Sequence, residues 1–259
     1  MTRSDEGTLA QLRRNGTGIH YETHGSGVPI LLTHGVGATC RMWDEQVEEF
    51  TDRYRLILWD LPGHGQSEPS RRPVTANSLT RDILAILNAV EASRVVLVGL
   101  GAGGLMALRF WHEFPDRVRG LVVIGTMPGL RNGPARQIWN GQVEEFAAAV
   151  ERDGLEALEG GAEVDPGQHT CPPGLAAAAR AMLTQNDDGA LPWLDTIDVP
   201  VLIVVGSEDK PNLSAAHYMA RTIPHAREIV IPRANHAANI HKAAAVNAAI
   251  RDFLGRLPP

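Results

Sequence analysis

The chain has 259 residues, 44% hydrophobic and 21% charged, with a formal net charge of −6. Such a composition suits a globular domain with a large core, and the negative balance argues against nucleic acid or an anionic membrane surface as a partner. The stretch MTRSDEGTLAQLRRNG has no apolar segment of a secretory signal, no run reaches the length of a membrane span, and Cys40 and Cys171 stand in no metal-type spacing.

Short β-branched runs alternate with helical patterns along the chain. Residues 18–23 read as a strand and His24-Gly25-Ser26-Gly27 as a turn. Residues 29–33 form a buried strand that runs into the loop His34-Gly35-Val36-Gly37, and residues 55–60 form another, broken by Pro62-Gly63. Leu79, Ile83, Ile86, Leu87 and Val90 then recur at helical spacing. Residues 95–98 are a central strand, 103–114 a helix and 121–124 the next strand. From about residue 128 to 193 no strand-like run occurs. Trp139, Val143, Phe146 and Val150 share one helical face there, and Leu175, Ala178, Ala179 and Met182 another, separated by Glu159-Gly160-Gly161 and Cys171-Pro172-Pro173-Gly174. Residues 201–205 and 228–231 are the last strands, and Val246, Ile250, Phe253, Leu254 and Leu257 face one way on a final helix. Repeated βα units of this kind build a mostly parallel sheet flanked by helices. The strandless segment is too long for a plain loop. The expected organisation is an α/β core of residues 1–127 and 194–259, with a helical cap of 128–193 inserted after the sixth core strand.

The stretch VVLVGLGAGGLM, residues 95–106, fits two motifs. As G-x-G-x-x-G it is a dinucleotide turn, but the next strand then owes an acidic residue to the ribose, and it ends Ile124-Gly125-Thr126 instead. As G-x-S-x-G it is a nucleophile elbow with Gly101 in the serine position. The second reading gains from the rest of the chain. Asp209 follows a strand in Gly206-Ser207-Glu208-Asp209, and His236 follows the next, giving the order nucleophile position, acid, histidine.

With HGVG at 34–37, DLPGHGQS at 60–67, the GLGAG elbow, GSED at 206–209 and Asn235-His236, the chain resembles the α/β-hydrolase family over nearly its whole length. Within it, the likeness is to small capped esterases, enol-lactonases and C–C bond hydrolases. The departure is Gly101, where the family carries Ser, Asp or Cys. That excludes an aspartyl-ester or serine acyl-enzyme for this sequence. The resemblance implies an oxyanion hole from the backbone N–H groups of Val36 and Ala102, and an Asp209–His236 dyad that activates water or takes a proton from substrate. His34, Gly35, Trp139 and Cys40 are expected at the substrate pocket, His34 as a loop-shaping residue hydrogen-bonded to backbone rather than a catalyst, with Phe146, Met182, Trp193 and Trp43 as further apolar wall. Asp60, His64 and Ser67 are expected to fix their own loop, and His169 and Cys171 to lie in a solvent-facing loop of the cap, with a position facing the substrate as the alternative.

The expected activity is ester, lactone or C–C bond hydrolysis, or lyase- or cyclase-type proton transfer, on a small carbonyl compound. Two alternatives stay open: a serine hydrolase inactivated by a Ser→Gly change, and a non-catalytic ligand-binding protein on the same fold. No cofactor, metal, nucleic acid or membrane partner is expected. The location is expected to be cytoplasmic, with a homodimer the assembly left open.

Overall fold

A computed structural model describes residues 7–158 and 161–258. Eight strands form one sheet: β1 Thr8–Arg14, β2 Thr17–His24, β3 Val28–Thr33, β4 Tyr54–Trp59, β5 Val95–Leu100, β6 Val118–Ile124, β7 Val201–Gly206 and β8 Ala226–Ile231. Their order is β1-β2-β4-β3-β5-β6-β7-β8. β1 and β2 pair antiparallel, as do β2 and β4, and every other neighbour is parallel.

Eight helices accompany the strands among the described residues: α1 Asp44–Phe50, α2 Ala76–Ala89, α3 Ala102–Glu113, α4 Gly133–Asp153, α5 Pro172–Leu183, α6 Lys210–Thr222, α7 Ala238–His241 and α8 Ala243–Leu254. The strand period of two sorts side chains onto both faces. On β5, Val95 and Leu97 join the apolar layer under α2, α3 and α6, while Val96 and Val98 join the layer under α1 and α8. Burial on both faces is why β5 and β7 read as unbroken apolar runs. No helix among the described residues is long and apolar enough to cross a membrane.

Four elements were not legible as read above. β1 is an edge strand with a largely exposed, polar-rich pattern and Leu9 66% exposed, so no apolar run marks it. Its signal was the turn: Asn15 and Gly16 both take positive φ, 51° and 82°, the pattern of a tight hairpin. α1, α6 and the single turn α7 likewise carry short or sparsely buried apolar faces.

Between β6 and β7 the described chain holds no strand. α4 and α5 pack there, burying Ala147 and Val150 against Leu175 and Ala176. Glu159 and Gly160 of the separator lie outside the described residues.

Candidate active site

The sharp turn between β5 and α3 is built by glycines with separate jobs. A Cβ on Gly99 would collide with the backbone of Gly103, and one on Gly103 with the carbonyl oxygens of Thr33 and His34, so strand and helix approach backbone to backbone. Gly101, at the tip, has φ 54° and ψ −116°, a conformation nearly free to glycine and strained for other residues. This geometry is that of a nucleophile elbow.

His236 follows β8 in the loop before α7, and Asp209 stands at the N-terminus of α6. The His236 Nδ1–H donates to Asp209 Oδ2 at 3.1 Å. Asn212, one turn along α6, donates its amide to both Asp209 oxygens, at 2.9 and 3.0 Å. The other ring nitrogen, Nε2, faces Gly101: a Cβ there would lie 3.0 Å from it. Gly125 closes the rear of the pair, since a Cβ on it would lie 2.9 Å from His236 Nδ1 and 3.0 Å from Asp209 Oδ2.

The charges follow from these contacts. Burial works to raise the Asp209 pKa, but the hydrogen bonds from His236 and Asn212 outweigh it and hold the carboxyl below its ordinary range. Burial works against the His236 imidazolium, yet the hydrogen bond and charge of Asp209, joined by the field of Glu163, lift its pKa above the ordinary 6.5.

A cavity of about 210 Å³ opens over the turn. Gly35, Val36, Gly101, Ala102 and His236 form its floor, and Trp139, Met182 and Leu183 of α4 and α5 form apolar wall above. The backbone N–H groups of Val36 and Ala102 donate no hydrogen bond to another described residue, and Ala102 opens α3, whose positive end adds to the pull on an anion.

The expected pocket residues divide. Gly35 and Trp139 line the cavity, and His34 and Cys40 do not. His34 is fully buried, accepting the Leu61 N–H at Nε2 (3.0 Å) and donating from Nδ1 to Gly35 O (2.6 Å). Burial pushes its pKa down to about 4, so it stays neutral and shapes the loop. Cys40 points instead to His20 and Glu22 of β2. Phe146, Trp193 and Trp43 are also absent from the lining; Trp193 stacks on His112 at 4.5 Å between ring centroids.

His169 is not in a solvent-facing loop. It is 5% exposed, accepting the Gly65 N–H at 3.2 Å and donating to Gly37 O at 2.8 Å. His64 accepts the Gly37 N–H at 3.1 Å. Asp60 accepts from the N–H groups of Cys40 and Gln66, at 2.8 and 2.9 Å, and Ser67 donates to Asp60 O at 2.6 Å.

His20, Glu22 and Cys40 place ligand-type atoms within 4.8 Å of one another. The set does not fit a metal. Burial and the charge of Asp60 raise the Cys40 thiol far above its usual range, so it remains protonated, and Arg41 already forms an ion pair with Glu22.

Glu163, Gln185, Asn212 and Gly125 also line the cavity, and sequence reasoning missed all four. Asn212 had a signal, its three-residue offset from Asp209 at a helix start. Gly125 had one in the Gly that ends β6. Glu163 and Gln185 sit in the strandless segment, where no pattern marks direction.

An open, mostly parallel sheet with an elbow after its central strand and an Asp–His pair beyond its last two strands defines an α/β hydrolase. Residues 30–249 match the model of the alpha/beta hydrolase family, and the chain belongs to that family. It is 28% identical, across 96% of its length and 98% of the relative's, to the (E)-2-((N-methylformamido)methylene)succinate hydrolase of Acinetobacter baylyi. It is 24% identical to 3-oxoadipate enol-lactonase 2 of the same organism, covering 92% of this chain and 93% of that one. Among solved structures, a thermophilic esterase from Thermogutta terrifontis superposes with a TM-score of 0.82 at 28% identity, covering 96% of this chain and 98% of that one. These relatives are hydrolases by name, and the chain takes its place with them as an enzyme of the α/β-hydrolase family.

Proposed function

We propose that this protein acts on a small carbonyl substrate, an ester, lactone or activated C–C bond, with no side-chain nucleophile. His236 moves the proton, Asp209 orients it, the N–H groups of Val36 and Ala102 hold the oxyanion, and residues 128–193 cap the site. The observation that carries the reading is His236 Nε2 directed at the position Gly101 leaves without a side chain.

In hydrolysis, a water beside Gly101 gives a proton to His236 Nε2 as its oxygen bonds to the carbonyl carbon. The C=O electron pair moves onto oxygen, between the two N–H groups. Asp209 stays ionised and stabilises the imidazolium through the Nδ1–H. The C–O or C–C bond to the leaving group then breaks, and the departing atom takes the proton from Nε2. The same base removes a proton from carbon next to the carbonyl when the substrate offers one, which gives the lyase or cyclase outcome. The names of the two curated relatives, an enol-lactonase and a succinate hydrolase, support the carbonyl substrate.

The test is turnover of a panel of small esters, lactones and β-diketones by the unchanged protein and by His236→Ala. Turnover that vanishes in His236→Ala supports the reading, and turnover that survives it contradicts the reading.

A further inference from the structure

The described lining of the cavity is unevenly charged. Glu163 lines it with a carboxylate whose Oε2 is buried and has no hydrogen-bond partner among the described residues. Asp209, 5% exposed, adds a second negative charge behind His236. No lysine or arginine is among the described lining residues. Among the described lining residues no cation offsets Glu163 and Asp209 while His236 is neutral, and the balance stays negative when it is protonated.

Two of the lining side-chain donors are committed, whereas the Gln185 amide and the Val36 and Ala102 N–H groups donate to no described residue. Trp139 gives its indole N–H to Leu183 O at 2.6 Å, and Asn212 gives its amide to Asp209. A substrate carboxylate in this cavity would therefore meet Glu163 with no cation to offset it. A donor or cation on the ligand offsets the charge of Glu163 at the cavity wall, and a second carboxylate adds to it.

We propose that Glu163 sets the substrate class of this site: compounds that present a neutral or cationic hydrogen-bond donor beyond the reacting carbonyl, and not compounds that present a carboxylate there. The assignment rests on the functional reading above, which places the carbonyl at the Val36 and Ala102 N–H groups. The lift that Glu163 gives to the His236 pKa agrees with its field reaching the site.

Three matched esters test it: methyl 3-aminopropanoate, methyl 3-hydroxypropanoate and monomethyl succinate. They share the methyl ester and two-carbon spacer and differ in the end group. Their affinities are read by ligand-observed NMR titration of the unchanged protein, Glu163→Gln and Glu163→Lys. The unchanged protein should bind the amine and the alcohol at least ~10-fold more tightly than the succinate. Glu163→Gln should shrink that gap, and Glu163→Lys should reverse the order of amine and succinate, which a merely structural role for Glu163 does not do. Succinate binding as tight as the others, an unchanged order in Glu163→Lys, or no binding by any of the three overturns the proposal. Turnover plays no part in this ranking. A lost ranking beside His236-dependent turnover removes the charge selectivity alone, whereas an intact ranking without turnover removes the functional reading.

Discussion

A Cβ on Gly101 would stand 3.0 Å from Nε2 of His236, closer than carbon and nitrogen normally pack. The imidazole thus occupies part of the room that a side chain at 101 would claim. The backbone adds a second obstacle, since φ of 54° strains any residue with a Cβ. Gly101→Ala should therefore lose about 1–3 kcal/mol of stability and push the His236 ring aside, lowering turnover. Chemical denaturation and the His236 NMR signals measure both, and an Ala variant of unchanged stability contradicts the geometry.

The raised His236 pKa sets a pH dependence. A general base works when neutral, so kcat/KM should rise with pH through a midpoint above 6.5. Removing a nearby negative charge destabilises the imidazolium. Glu163→Gln and Asp209→Asn should therefore each move that midpoint to lower pH, which a pH–rate series reads directly. The linked stability has the opposite sense. A raised pKa stabilises the fold below the ordinary imidazole value, and that contribution fades as pH climbs through the folded value.

In the proposed mechanism Asp209 and Asn212 act on the reaction through His236. Asp209→Asn should lower kcat/KM by about 10²–10⁴, the range that a positioned proton-transfer group contributes. Asn212→Ala should cost less, because the His236 Nδ1–H still holds Asp209 Oδ2. Steady-state kinetics with fold checked by circular dichroism decide it; Asn212→Ala falling further than Asp209→Asn would reverse the assigned roles.

The elbow and the Asp–His order were legible because each is tied to a strand end by short local spacing. Gly99, Gly101 and Gly103 announce a turn in five residues, and Asp209 and His236 follow apolar runs that hardly admit another assignment. The cavity's other walls were not legible. Trp139 and Trp193 are the same residue type in the same segment, yet Trp139 lines the cavity and Trp193 stacks on His112. Helix rotation and loop path decide such cases, and neither leaves a local pattern. Cys40 and the pocket placement of His34 misled for a related reason, since nearness in sequence to the Gly35–Gly37 loop is not exposure to the cavity, while the loop-shaping reading of His34 agrees with its bonds to Gly35 and Leu61.

His169 fastens the segment between β6 and β7 to two loops of the core, at Gly37 and Gly65. His169→Ala leaves the Gly65 N–H and the Gly37 carbonyl unmatched, and should cost about 1–3 kcal/mol of stability for each group left without a partner. Thermal unfolding reads the effect, and a stability equal to that of the unchanged protein contradicts the fastening role.

The central claim is that the site works through His236 without a nucleophile at position 101, and restoring one tests it most directly. Gly101→Ser and the unchanged protein are assayed side by side, under identical conditions, on the ester, lactone and β-diketone panel. The account predicts substantial His236-dependent turnover in the unchanged protein, with Gly101→Ser at most diverting it toward ester hydrolysis. A rise of several orders of magnitude in Gly101→Ser, from an unchanged protein no faster than buffer, would contradict it.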